Sequence, residues 1–247
     1  TMMAGALDLY LTNSGLFSNP PIRVLHAFPA LAMVKKFTQD KLEGMVRTAK
    51  DDLINKNKLR SPNAVDNLTM KQFNTGTLWI DSIGRGGDRI RGMTCDVTFF
   101  DEIQDMYGQA IGNTTKILTQ AKYGPPGKGV QVFFGTPKER SSYFHSIWEM
   151  SDKRYYHLGC ENCKDTFPFY ITGSKEWLDI WTEGFTIKCP LCGHEQHKIG
   201  AVERGKWVPS VPNPEECKYV GFHINQLYLP NFSKQHILDL MPENNPT

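Results

Sequence analysis

Apolar residues follow several distinct rhythms along the chain. Val97-Thr98-Phe99-Phe100 has the composition of a buried strand, Val130 to Phe134 (VQVFF) supplies another continuously apolar strand, and Ile22 to Phe28 (IRVLHAF) also reads as a strand. Met3, Leu7, Tyr10 and Leu11 recur at three- and four-residue steps, which predicts a helix from the first residues. Pro29 opens a second helix to about Lys50, with Leu31, Val34, Phe37, Leu42, Met45 and Val46 approximating its apolar face. LTMKQF and TLWIDSI alternate on either side of Asn74-Thr75-Gly76, the pattern of a hairpin. A mostly helical stretch from about Met106 to Lys122 connects the two apolar runs and ends at YGPPGKG. Strand, helix and strand at this spacing make a βαβ crossover, so residues 1 to about 150 are expected to form an α/β domain around a parallel sheet.

The two ends are less regular. No capping box or turn introduces the first helix, as if the chain started inside an element of something longer. MPENNPT at the other end is polar and punctuated by proline, and reads as a linker to a further domain. No internal repeat interrupts the chain.

Composition narrows the classes. A length of 247 residues with 40% hydrophobic positions suits one large domain, or a core domain with a smaller appendage. A formal net charge of +2 excludes bulk basicity, so any nucleic-acid contact is expected from a local patch or from an assembly. No apolar run reaches membrane-spanning length and no signal peptide is present, which predicts a soluble, intracellular chain. Of six cysteines, four fall as CENC at Cys160 and Cys163 and CPLCG at Cys189 and Cys192. That C-x2-C-x25-C-x2-C spacing can put two tight turns around one tetrahedral Zn²⁺, with Gly193 at the bend of the second. His194 and His197 could substitute, but four cysteines already saturate the metal. Cys95 and Cys217 read as buried small hydrophobes. A redox dithiol or unpaired core cysteines are the competing readings of the paired cysteines.

The strand Val97–Phe100 runs directly into Asp101 and Glu102. Either the strand surfaces at an acidic turn, or the pair is aimed at a cation. In doubly wound sheets ligands sit at the carboxyl ends of strands. Gly135-Thr136, ending the next parallel strand, converges on the same edge and favours a site. The Walker B pattern of P-loop ATPases is such a strand, its Asp serving Mg²⁺ and its Glu the attacking water. Gly84, Gly86 and Gly87 belong to a basic loop with Arg85, Arg89 and Arg91, either solvated or reaching a phosphate in cis or across a subunit boundary. His26, His145, His157, His223 and His236 are scattered and read as structural, and Val220 to Pro230 reads as a buried strand or domain-closing segment.

Taken in order, RIRGMTCDVTFFDEIQDM, VFFGTPKERSSYFHSIW, the cysteine pairs, RGKWVPS and YVGFHINQLYLP resemble the large terminase subunit of tailed bacteriophages, nearest its lambda-like branch. The resemblance implies a P-loop (RecA/ASCE-like) α/β fold with helices on both faces of a parallel sheet and an inserted zinc ribbon. It implies an ATPase that drives double-stranded DNA into the procapsid, using ATP, Mg²⁺ and Zn²⁺. Asp101 would then serve Mg²⁺, Glu102 would be the catalytic glutamate, and Gly135 and Thr136 the coupling motif. Arg91 would be the arginine finger, with Arg89 as its alternative. Implied partners are double-stranded DNA, the small terminase subunit, the portal protein and further copies in a ring, in the host cytoplasm and transiently at the procapsid portal.

The expected organisation is an ATPase core over residues 1–150, a zinc-ribbon insertion over 151–207, and a closing segment with a linker over 208–247 toward a nuclease domain. No Walker A sequence is present; in the family it precedes the helix that TMMAGALDLYL resembles, so Thr1 would be its last residue or a neighbour. Lys128 in PPGKG precedes a strand and lacks the helix that would favour an anion. The chain alone is therefore expected not to turn over ATP. A superfamily 2 helicase fragment and a zinc-ribbon DNA-binding or scaffold protein are the alternative readings.

Overall fold

A computed structural model describes residues 2–17, 19–48, 64–170 and 177–240. Thr1, the end of the second expected helix and the MPENNPT segment lie outside the described residues. The chain divides into two compact units, Thr1–His145 and Ser146–Thr247.

The first unit contains α1 (Met2–Asn13), β1 (Ile22–Phe28), α2 (Leu31–Lys36), α3 (Glu43–Thr48), β2 (Met70–Gln72), β3 (Gly76–Ser82), β4 (Val97–Asp101), α4 (Gly108–Thr115) and β5 (Val130–Phe134). Its five-stranded sheet has the order β2-β3-β1-β4-β5. β1 pairs in parallel with β3 and β4, and β4 in parallel with β5, while β2 and β3 form the antiparallel hairpin foreseen around Asn74–Gly76. Every residue of β4 is buried, as its unbroken apolar run requires of an inner strand covered on both faces. One face of the sheet presents Ile22, Val24, Phe28, Leu78, Ile80, Val97 and Phe99 to a core that includes Leu9 of α1 and Val34 of α2. Leu25, Ala27 and Phe100 alternate to the opposite face and are buried too. This is the mixed, mainly parallel sheet with flanking helices expected of a RecA/ASCE-like fold.

Two helices differ from expectation. Between α2 and α3 the helix widens into a π-type turn over Phe37–Leu42. The buried Phe37 and Leu42 are five residues apart, the step a π turn accommodates. The stretch expected to be helical over 106–122 holds only α4 and a 3-10 turn at Lys116–Leu118. Thr114 and Thr115 hydroxyls donate back to the carbonyls of Ala110 and Gly112, a competition that weakens a helix already interrupted by glycine.

A buried carboxylate fixes the other end of the central strands. Asp96 accepts from the Arg23 amide at 2.9 Å, from Arg23 Nε and Nη2 at 3.1 and 2.9 Å, and from the Lys122 amide at 2.7 Å. It thereby ties the start of β1, the entry to β4 and the segment leading to β5 together.

After α5 (Tyr143–Glu149), the second unit contains β6 (Arg154–Gly159), β7 (Thr166–Pro168), α6 (Trp177–Ile180), β8 (Thr186–Lys188), β9 (Glu195–His197), α7 (Lys198–Glu203), β10 (Lys206–Pro209), β11 (Phe222–His223) and α8 (Lys234–Leu240). β6 pairs antiparallel with β10 and β7 and in parallel with β11. Leu158, Phe167, Phe169, Trp177, Trp181 and Ile187 form its core. The buried Lys198 ammonium donates to the carbonyls of Leu229 (2.7 Å) and Phe232 (2.5 Å) and lies 4.9 Å from the Trp181 ring centroid. The segment around Leu229 and Phe232 is thus pinned to the same core as the cysteine-bearing hairpins. Val220 to Pro230 is not a buried strand: only Phe222 and His223 pair with β6, and Val220, Phe222 and Ile224 are exposed, because β6 takes this segment at an edge. Cys95 is fully buried, as expected, but Cys217 is only half-buried and its thiol donates to the Asn213 carbonyl. No helix among the described residues is long and apolar enough to cross a membrane.

Burial raises the Asp96 carboxyl, but the Arg23 guanidinium and two backbone amides outweigh it and hold the group below its ordinary value. The sign follows: a lowered folded value contributes stability above the ordinary carboxylate range that is lost as pH falls through the lowered one. Asp96→Asn should cost about 1.5–3 kcal/mol at neutral pH. The gap from wild type, read from urea midpoints, should narrow below about pH 4. A gap that stays constant to pH 2 would contradict the assignment.

Candidate functional site

The parallel register of β4 and β5 sets Asp101 opposite Phe134, so Glu102 and Gly135 leave the sheet side by side. Glu102 adopts left-handed geometry (φ 58°, ψ 42°), a conformation that costs a β-carbon residue energy and recurs where side chains are aimed. The following 3-10 turn, Ile103–Asp105, brings Gln104 back over the strand ends. Gln104 Nε2 donates to Glu102 Oε2 at 2.6 Å, and Gln104 Oε1 accepts from the Thr136 amide at 3.1 Å. A backbone amide can only donate, so Oε1 must face Thr136 and the amino group must face the carboxylate. Gly135 permits this approach: a β-carbon there would collide with Gln104 Oε1 and lie 2.9 Å from Ile103 Cγ2. The structure therefore brings Asp101, Glu102, Gly135 and Thr136 to one edge, joined by a residue the sequence reading passed over.

Asp101 is buried, and its side chain faces the α1 side of the sheet. Its Oδ1 accepts the Glu102 amide at 3.0 Å, and Oδ2 lies 3.4 Å from His26 Nε2. His26 Nδ1 is 2.5 Å from Asp8 Oδ2 on α1. The imidazole is fully buried between the two carboxylates, stacked on Phe28 at 4.6 Å and tilted against Phe37 at 4.5 Å. Burial opposes charge on this ring, but Asp8 and Asp101 outweigh it and push His26 up to about 9. His26, read with the other scattered histidines as structural, is buried against Asp101 and touches it directly. A polar residue at the even-numbered positions of IRVLHAF, otherwise all apolar and inward, was the available signal. Asp8, midway through an apolar helix, was the other.

The arginines of the Gly-rich loop sit apart from these contacts. Arg91 Nη2 pairs with Asp88 at 2.7 Å with both side chains exposed, Arg89 Nε donates to Asp81 at 2.9 Å, and Arg85 lies over the Tyr107 ring.

In the second unit the two C-x-x-C turns close the β6–β7 and β8–β9 hairpins. Cys160 Sγ is 3.7 Å from Cys192 Sγ and Cys163 Sγ 4.0 Å from Cys189 Sγ, and all four sulfurs lie within 4.8 Å of one another. This is a cluster able to coordinate one metal ion. Gly193 (φ 76°) makes the bend after Cys192, with its amide on the Cys189 carbonyl. The His194 amide holds the Cys192 thiol down to about 6. His194 instead pairs with Glu161, and His197 caps α7 by accepting the Ile199 amide. Gln196, also unforeseen, stitches the two turns: its Oε1 accepts the Glu161 amide and Arg204 Nη2, and its Nε2 donates to the Gly159 carbonyl.

A family model described as "Phage terminase large subunit gpA, ATPase domain" matches residues 13–207. Among solved structures, the chain is similar to the large terminase ATPase domain of Thermus phage P74-26, at 19% identity over 60% of this chain and 59% of that one, with a TM-score of 0.36. It is also similar to the large terminase of a second thermophilic bacteriophage, solved in complex with ADP, at 16% identity over 51% and 29% of the two chains, with a TM-score of 0.34. No curated protein matches the chain. The chain thus spans less than two thirds of the solved chains it resembles.

The buried trio yields a stability prediction. His26→Leu leaves Asp8 and Asp101 facing each other without their shared partner and should cost about 3–5 kcal/mol in chemical denaturation. Adding Asp8→Asn to that variant should recover part of the loss, since one of the stranded charges is then gone. Equal stability of the single and double variants would refute the arrangement.

Proposed function

The chain belongs to the family of phage terminase large subunits of the gpA type, within its ATPase domain, and from that premise we propose that it works as the hydrolytic core of a DNA-packaging motor. In this reading ATP hydrolysis drives double-stranded DNA into a procapsid, with the small subunit, the portal protein and further copies of the chain as partners, in the host cytoplasm and transiently at the portal. The observation that carries it is the convergence of Asp101, Glu102, Gly135 and Thr136 at the carboxyl ends of adjacent parallel strands.

Each residue has a role in this reading. Asp101 is an oxygen donor of the kind Mg²⁺ prefers; its oxygens meet the Glu102 amide and His26, and a carboxylate oxygen can accept a further bond from a metal-bound water. When bound, the ion supplies charge stabilisation for the phosphate oxygens. Glu102, turned out of the strand by its left-handed backbone, accepts the proton of the attacking water or orients it. Gly135 and Thr136 form the segment that couples hydrolysis to movement. Arg91 serves as an arginine finger; its pairing with Asp88 is exposed and therefore readily exchanged for a phosphate. No Gly-Lys-Ser/Thr sequence of a phosphate-binding loop occurs in these 247 residues, and in this reading they do not turn over ATP by themselves.

ATP hydrolysis by the complete packaging protein, with Mg²⁺ and double-stranded DNA, tests the proposal. Glu102→Gln should lower kcat by roughly 10²–10⁴-fold, the range for a positioned general base. Arg91→Ala in the same assay should lower kcat with nucleotide affinity largely kept. Wild-type rates in Glu102→Gln would overturn the ATPase reading.

For the second unit we propose a structural Zn²⁺ held by Cys160, Cys163, Cys189 and Cys192. Thiolate–zinc bonds of about 2.3 Å in a tetrahedron give sulfur–sulfur edges of about 3.8 Å, close to the 3.7 and 4.0 Å found. Elemental analysis should return one zinc per chain, and chelation should unfold residues 146–247 in preference to the rest, by proteolysis or hydrogen exchange. Purified protein without zinc whose four thiols titrate freely would refute it.

A further inference from the structure

Gln104 has a role that none of the motifs above assigns to it. It sits two residues beyond Glu102, on the 3-10 turn, and spans from that carboxylate to the main chain of Thr136. The 102–106 turn is itself closed by the Asp105 amide on the Glu102 carbonyl (3.0 Å) and the Met106 amide on the Ile103 carbonyl (3.0 Å), with Ile103 fully buried as its anchor. Gln104 is thus presented from a fixed base. Its 2.6 Å bond to an ionised acceptor is of the strong, short kind. A glutamate side chain has three torsions and, half-buried at a strand end, would otherwise sample several positions.

We propose that Gln104 is the positioning residue of the hydrolytic site: its carboxamide fixes the Glu102 carboxylate and ties it to the Thr136 amide, so that the base and the end of β5 move together. The proposal rests on the ATPase reading above and deepens it. Glutamine suits the task because one planar group must accept from a backbone amide and donate to a carboxylate at once. Glutamate would accept but not donate; methionine would match the length and do neither. Gly135 completes the arrangement, since any β-carbon there collides with Gln104 Oε1 and would break both bonds together. A change in the backbone at Gly135-Thr136 pulls on Gln104 and reaches Glu102 without passing through the sheet.

The test uses the complete packaging protein with ATP, Mg²⁺ and double-stranded DNA, comparing wild type, Gln104→Glu, Gln104→Met and each in a Glu102→Gln background. Misplacing a catalytic group by about 1 Å can cost roughly 10²-fold, so both Gln104 variants should lose about 10–100-fold in kcat while KM for ATP changes less than about twofold. In the Glu102→Gln background Gln104→Met should add nothing, because the residue acts through that carboxylate. Amide NMR of the Thr136 resonance supplies a readout independent of activity: it should shift in Gln104→Met and stay near its wild-type position in Gln104→Glu, which keeps the acceptor. Wild-type kcat in both variants, a full additive loss in the Glu102→Gln background, or an unmoved Thr136 resonance in Gln104→Met would overturn the proposal and leave the ATPase reading standing. Wild-type protein whose hydrolysis does not depend on Glu102 would overturn both.

Discussion

A positive charge enclosed between two carboxylates organises the first unit. His26 occupies the middle of β1, the strand between β3 and β4, and has no access to solvent. An ionised carboxylate in that position would be untenable alone, and so would an imidazolium, but each makes the other tenable. The constraint reaches outward from there. Asp8 fixes where α1 lies on the sheet, and Asp101 fixes how β4 ends. With Asp101 turned inward, the next side chain, Glu102, must leave in another direction, which its left-handed backbone accomplishes. The opposite ends of the strands are held in the same manner by Asp96 and Arg23, so that the central pair β1 and β4 is anchored electrostatically at both ends.

Strand identity was legible because it depends on short-range pattern alone. The run at 97–100 forms the inner, fully buried strand its composition predicts, whereas 130–134 forms β5 at the end of the strand order, with Val130 exposed and the rest half-buried, and the Asn74–Gly76 turn announced its hairpin. Helix extent was less legible. Phe37 and Leu42 fit an ordinary apolar face loosely, and only their packing reveals the extra residue in the turn. The expected length of the stretch over 106–122 counted apolar residues and overlooked Gly112 and the paired threonines. Val220 to Pro230 misled in the opposite sense: β-branched and aromatic residues favour a strand, but pairing requires a free edge, and β6 gives this segment two residues.

The site itself divides along the same line. Asp101, Glu102, Gly135 and Thr136 could be proposed because each stands beside a recognisable strand end. His26, Asp8, Gln104 and Gln196 could not, since their significance lies in what they touch across 2 to 75 positions of sequence. A polar residue inside an apolar strand marks a buried contact, yet it does not name the partner. The cysteines are the exception: metal ligands come in pairs at fixed local spacing, so two hairpins that meet in space are already visible as two C-x-x-C turns. What holds those hairpins in register before any metal arrives, Gln196 between the Glu161 amide and the Gly159 carbonyl, is again invisible to spacing.

The two glutamines make a common point about polar groups that join segments. Gln104 and Gln196 each bond a backbone amide through Oε1 and another group through Nε2, and each spans two turns that carry reactive side chains. A charged residue in either place would satisfy one side and repel or strand the other. A neutral carboxamide is indifferent to pH over the range in which carboxylates, thiols and imidazoles change charge. It therefore keeps its geometry while its neighbours exchange protons or take up a metal. Where reactive groups must titrate, the frame that positions them is best built from groups that do not.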